Sequence, residues 1–254
     1  MKAWFKSAWR LLKNILGFFL IFWFAFTIYC LFSVPELCDL KNRNPKTTAF
    51  QELRKKQWAQ KKKKRKIVQR WVKLSKISRN LRNAVLVAED PNFYTHHGLD
   101  FYQIKLAFQE NWEEKSIVRG ASTITQQLVK NLYLSPSQNP MRKWKEAILA
   151  LRVERCVPKD RLFELYLNEI EWGESTYGVE AASQRYFGKP ALALRPAEAA
   201  LLAAMIPNPI ARNPYKWNAK LYRKKNIILK LMWRSGKLKK SDYEAAVNEK
   251  ISLQ

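Results

Sequence analysis

NPMRKWKEAILALRVERCVP, residues 139–158, carries a start, a body and a stop for one helix, and its reading decides the fold class. Asn139 suits an N-cap, and Pro140 suits the first helical position, where a missing N–H leaves nothing unsatisfied. MRKWKEAILALRVERCV then predicts a helix that runs to the stop at Pro158. Apolar residues at helical spacing recur in RLFELYLNEI (161–170), in RPAEAALLAAMI (195–206, ahead of Pro207), in LYRKKNIILKLMWRSG (221–236) and in SDYEAAVNEKI (241–251). Few segments alternate with period two. The fold class is therefore mainly α, with loops between helices long enough to carry a site.

The same stretch holds the first candidate chemistry. Arg142 and Glu146 stand at i, i+4 and Lys143 and Glu146 at i, i+3, so one helix face presents two cations and one acid. As a surface ion pair this would contribute less than about 1 kcal/mol. The alternative is a cation cluster that holds a diphosphate, with Glu146 orienting the cations or a metal.

Upstream, GASTITQQLVKN (120–131) opens another helix, because Thr123 and Gln126 fit a capping box. Ile124, Leu128 and Leu132 fall on one face and Gln127, Lys130 and Asn131 on another. By itself this is an ordinary amphipathic helix. Its free N–H groups, with a lysine one or two turns on, would also suit an anion.

AVLVAEDPNFYTHHG (84–98) sets two acids at the end of an apolar run. A helix here can reach Asp90 at most, because Pro91 pushes the residue before it away from the α region. A carboxylate at that point meets the negative end of the helix dipole and apolar neighbours, and both raise its pKa. Two carboxylates and several cations together suggest glycosyl transfer from a phosphorylated donor. One acid takes the proton of a hydroxyl, and the cations stabilise the departing phosphate.

The 254 residues carry a formal charge of +26, so an anionic polymer or membrane surface is the natural partner class. Nucleic acid is the usual partner at such charge, yet no nucleic-acid fold signature is present and none is expected to bind. At 47% hydrophobic residues with ten tryptophans, most of the chain belongs to a packed domain. Cys30, Cys38 and Cys156 show no paired spacing, and the odd count predicts no disulfide framework. Adjacent His96 and His97 make a poor metal site by themselves.

ILGFFLIFWFAFTIYCLFSV, residues 15–34, is uncharged. At ~1.5 Å per residue it spans ~30 Å, the hydrocarbon thickness of a bilayer. Trp4 and Trp9 precede it where an aromatic belt would lie. No AxA cleavage site follows, so a retained transmembrane helix is expected rather than a signal peptide. Lys2, Lys6, Arg10 and Lys13 weakly favour a cytoplasmic N-terminus, although Lys41, Arg43 and Lys46 follow on the other side. The expected organisation is a short tail (1–14), the membrane helix (15–34), a basic stalk (35–70) and a domain (71–254). The run KKKKRK (61–66) is either a solvated segment or one lying against anionic headgroups.

Taken together, the motifs resemble one family. EDPNFYTHHGLD is similar to its EDxxFxxHxGxD motif, GASTITQQLVKN and RKWKE match the next two, and RLFELYLNEIEWGESTYGVEAASQRYFGKP resembles its YLN and YFGK motifs. The family is the peptidoglycan glycosyltransferases, the glycosyltransferase domains of class A penicillin-binding proteins, and the resemblance spans about residues 45–235. It implies a lysozyme-like fold with a membrane-proximal lobe, and lipid II and the growing glycan strand as partners. It makes Glu89 the general base and Asp90 a local organiser of the turn. Glu146 becomes the second essential acid, while Lys130, Arg142 and Lys143 hold the diphosphate and Ser122 and Gln127 line the donor site.

The resemblance admits a magnesium or manganese ion, for which no dedicated ligand set is visible, so the metal stays open. It also implies a catalytic domain outside the inner membrane, and it leaves room for cell-division or cell-wall synthesis proteins as partners. The sequence departs from some members in LYLSPSQNP (132–140), which lacks an arginine that they carry there. With no SxxK or KTG motif, no transpeptidase activity is expected. The rival readings are a membrane-anchored nucleic-acid binder, a glycan-cleaving hydrolase of related fold, and an inactive scaffold.

Overall fold

The computed structural model describes residues 2–33, 36–116, 120–134, 139–206, 208–216 and 218–254. Its first helix, α1, runs Lys2–Phe32, and the stretch Trp9–Cys30 is long and apolar enough to cross a bilayer. Phe18, Phe24 and most other apolar side chains of α1 find no cover from the protein. Trp9 is exposed at the start of that stretch, with Lys13 over its ring. The Trp4 side chain, Val34 and Pro207 lie outside the described residues.

Past α1, a 3-10 turn at Leu37–Lys41 leads to α2 (Ala49–Gln60), which Thr48 and Gln51 cap reciprocally. A short strand β1 (Val68–Gln69) and a 3-10 turn at Leu74–Lys76 lead to α3 (Arg79–Glu89). Then follow α4 (Phe101–Glu113), α5 (Ile124–Tyr133), α6 (Pro140–Val153) and α7 (Lys159–Glu169). Strands β2 (Glu171–Gly173) and β3 (Thr176–Tyr177) precede α8 (Val179–Phe187), α9 (Pro196–Met205), α10 (Ala219–Arg234) and α11 (Lys240–Asn248). The strands form one small sheet in the order β1-β3-β2, with β1 parallel and β2 antiparallel to β3. The mainly α expectation holds.

The core is organised around α9, whose residues Ala197–Met205 are all buried. A helix apolar all round needs cover on every side, and α3, α10 and α11 pack against it. This packing places the C-terminal end of α3, and hence Glu89, at the rim of the core. The α6 helix is four residues shorter than expected. It ends at Val153 because Glu154 turns to Lys159, at 2.7 Å, and Cys156 is tied elsewhere.

That tie corrects the cysteine reading. Cys38 and Cys156 form a disulfide across a sequence separation of 118, and Cys30 remains free in α1. Counting cysteines gives parity but not position, and the turn at 37–41 carries Cys38 to the end of α6.

The expected stalk also differs. Leu37 and Leu40 belong to the main core, Trp58 of α2 is buried, and Arg161 donates to the carbonyls of Leu40 and Arg43 at 2.9 Å. Segment 37–60 is therefore packed onto the domain, whereas 61–66 is exposed, with Arg65 paired to Glu174 at 2.7 Å. Helix α1 is docked as well. Trp144 of α6 donates to Thr27 at 3.1 Å and meets the Trp23 ring edge-on, and Lys145 donates to Ser33 at 3.3 Å.

Candidate active site

The first motif builds its own scaffold. Asp90 caps α3 outside the α region, at φ −161° and ψ 79°, as the following Pro91 favours. Its carboxylate is buried, meets His96 Nε2 at 3.0 Å and accepts from the backbone N–H of Ile124, the first residue of α5, at 2.9 Å. Gly98 N–H donates to His96 Nδ1, which leaves Nε2 as the protonated nitrogen that donates to Asp90. Gly98 itself has φ +93°, and a Cβ there would stand 2.9 Å from the carbonyl oxygen of Ala150, so only glycine lets this loop lie against α6. Thr123 closes the junction by donating to the Gly98 carbonyl at 2.7 Å while capping α5. Asp90 thus organises more than its own turn, because it fixes α5 against α3.

With α5 so placed, Gln127 faces Glu89. Its Nε2 donates to Glu89 Oε2 at 2.9 Å, and its Oε1 accepts from the Tyr166 hydroxyl at 2.9 Å. Tyr166 lies within the core, where burial holds its hydroxyl well above the usual range, so it remains a donor and fixes the orientation of the amide. Burial also pushes the Glu89 carboxyl up. The Gln127 amide and the charges of Lys224, Arg212 and Lys130 offset that only in part.

Further along the cleft, Glu146 is buried on α6 and takes Arg142 on one oxygen, at 2.7 Å, and Lys143 on the other. Lys143 also donates to Ser122 at 2.9 Å. Burial lowers the pKa of Lys130, and the nearby Lys143 and Arg142 lower it further against the pull of Glu146. Three cations around one carboxylate leave this end of the cleft short of negative charge, the condition that binds an anion.

A cavity of about 480 Å³ joins the two ends, and Glu89, Ser122, Gln127, Lys130 and Arg142 all line it. Lys143 and Glu146 adjoin it through Ser122 and Arg142. The structure therefore brings together every candidate residue named from sequence. It adds residues that the sequence reading missed: Phe50 and Arg54 from α2, Glu171 from β2, and Asn208, which line the same cavity. Arg54 and Glu171 are paired at 2.9 Å. The burial of Trp58 and Gln51 gives α2 a core-facing side, but the charge of the surrounding stretch hid it. Residues 135–138 of the loop without a cation lie outside the described residues.

A divalent ion finds no prepared ligand set. Among the described residues no group of three His, Cys, Asp or Glu side chains could hold one, and both oxygens of Glu146 already meet cations. His96 is engaged with Asp90.

Comparison with known proteins adds a family. The model of a family described as Transglycosylase matches residues 54–233. A biosynthetic peptidoglycan transglycosylase of Laribacter hongkongensis is 39% identical over 207 residues, which span 82% of this chain and 91% of that one. One from Methylobacillus flagellatus is 46% identical over 158 residues, or 62% and 69% of the two chains. Among solved structures, penicillin-binding protein 1A from Haemophilus influenzae aligns with 74% of this chain and 18% of its own, at 24% identity and a TM-score of 0.43.

Proposed function

The chain belongs to the transglycosylase family as a glycosyltransferase of peptidoglycan synthesis, and from this premise we propose how its cleft polymerises lipid II with Glu89 as general base. The observation that carries the reading is the pairing of a buried, upshifted carboxyl with a cation cluster in one cavity. Glu89 takes the proton from the 4-hydroxyl of the acceptor's GlcNAc. The freed oxygen attacks C1 of the MurNAc at the lipid-linked end of the growing strand, on the face opposite the diphosphate. The C1–O bond to undecaprenyl diphosphate breaks, and the anomeric centre inverts.

Each group has one task in this scheme. Gln127, held by Tyr166, orients the carboxylate. Lys130, Arg142 and Lys143 receive the charge that develops on the leaving diphosphate, and charge-directed donors in a water-poor site are the strongest lever on such a step. Glu146 holds Arg142 and Lys143 in place. Ser122 spaces Lys143 and lines the donor side.

The chain is membrane-anchored through α1, and we read its N-terminus as cytoplasmic and its domain as periplasmic on the inner membrane. The Cys38–Cys156 disulfide supports this direction, because such bonds persist in oxidising compartments. The aromatic side chains Phe101, Phe108 and Trp112 exposed on α4 support a membrane-proximal lobe, where the lipid-linked substrates lie.

A glycan-cleaving hydrolase would need an acid to protonate a sugar leaving group and would have no use for the cation cluster. Purified protein incubated with labelled lipid II, followed by gel separation, distinguishes the two. A ladder of glycan polymer is the expected result. Shortening of added strands without polymer formation would assign hydrolysis instead.

A further inference from the structure

The sequence LYRKKNIILKLM of α10 places two lysines where its helical pattern calls for apolar residues. Leu221, Ile228, Leu229 and Met232 are buried on one stripe, and Lys224 and Lys225 fall on that stripe at i+3 and i+4 from Leu221. Arg223, beside them, points to solvent. A lysine on a core-facing stripe is costly unless a partner satisfies it. Lys225 has one in the carbonyl of Val247, at 3.5 Å near the end of α11. For Lys224 the partner is Glu89, whose Oε1 lies 3.9 Å from its Nζ.

Glu89 is therefore held from two sides, with the Gln127 amide on Oε2 and an ammonium approaching Oε1. We propose that Lys224 is a positioning residue of the glycosyl transfer, setting the orientation and charge of the Glu89 carboxylate from the face opposite Gln127. This deepens the base assignment above and rests on it. The charged and titratable groups facing Glu89 are Lys130 from α5, Tyr166 from α7 through Gln127, Arg212 before α10, Lys224 itself and the neighbouring Asp90. Of these, Lys224 makes the ion pair with Oε1, and α10 packs directly on α3, so its position is tied to that of the base.

Burial drives Glu89 toward its protonated form, in which it cannot act as a base, and a cation beside it opposes that drift. Removing the cation raises the Glu89 pKa further, so more of the enzyme is protonated and inactive on the acidic side. The acidic limb of the pH–rate profile then moves to higher pH.

The test is lipid II polymerisation by the full-length protein across pH, for wild type, Lys224→Met, Lys224→Gln and Lys224→Arg, with thermal melts of each. Methionine matches the apolar stripe, so that variant is expected to melt at or above the wild-type temperature. Lys224→Met and Lys224→Gln should lose about tenfold in kcat on the acidic side, with recovery toward the alkaline plateau and little change in KM. Lys224→Arg should restore most of the rate. A loss equal at every pH, or one confined to KM, would overturn the proposal, and so would an unmoved acidic limb. Glu89→Gln, run alongside, separates the two readings. If it is inactive while Lys224→Met keeps the wild-type profile, only the role of Lys224 fails. If it remains active, the base assignment fails with it.

Discussion

Glu89 and Glu146 are two glutamates of one cleft, the first largely buried on α3 and the second fully so on α6, and the protein surrounds them in opposite ways. Glu146 has a cation on each oxygen, both about one turn away along its own helix. Glu89 has a neutral amide at 2.9 Å on one oxygen and a lysine at 3.9 Å on the other. The first arrangement orders two cations around one carboxylate. The second leaves a carboxyl that can gain and lose a proton, as pairs of acids with divided roles do. The helices that carry them differ as well. The disulfide and α1 tie α6 down, whereas α3 is held by the packing of α9 and α10.

The largest stability effect is expected on the α6 side. Replacing Cys38 and Cys156 by serine removes a link that closes a long loop and should cost about 3 kcal/mol, read by denaturant unfolding. Polymerisation at low temperature should persist, because neither sulfur touches the cleft. Glu146→Gln comes next, at about 2 kcal/mol, less than for a fully buried pair because Lys143 is half exposed. It should also lower kcat, since Arg142 and Lys143 lose their common anchor.

Lys130→Ala should raise KM for the lipid-linked donor about tenfold, equivalent to about 1.4 kcal/mol. Neutralising two lysines within 61–66 should change it by less than about twofold, because these are solvated charges. Equal effects would move the diphosphate site away from Lys130. The smallest effect should fall on Glu89→Gln, read as stability against pH. The folded-state pKa of Glu89 is raised, so its contribution is full below the unfolded value and is lost as pH rises through the folded one. Glu89→Gln should therefore melt higher than wild type at alkaline pH, with the gap closing as pH falls. A gap that widened on acidification would mean that the Glu89 carboxyl is not raised in the folded protein.

Much of this contrast was legible in the sequence. Thr123 and Gln126 announced the start of α5, Pro91 the end of α3, and Asn139-Pro140 the start of α6, since caps and prolines act locally. The raised pKa of Glu89 followed from its place at a helix end beside apolar residues. That Glu89, Lys130 and Arg142 share one cavity came from the resemblance, because spacing along the chain says nothing of how α3, α5 and α6 cross. The disulfide was invisible, as two cysteines 118 residues apart have no local signature. Segment 37–60 was hidden by its charge, which masked the few buried side chains that dock it. Lys224 did leave a signal, a lysine on an apolar stripe, but its partner lies on another helix and only the fold supplies it.

The central claim is that Glu89 is the base. The most direct measurement is polymerisation of labelled lipid II by purified full-length Glu89→Gln beside the wild type, with melts to verify folding. A folded variant whose rate falls by about 10³-fold is the predicted result. Polymer formed by Glu89→Gln at a rate near that of the wild type would contradict it.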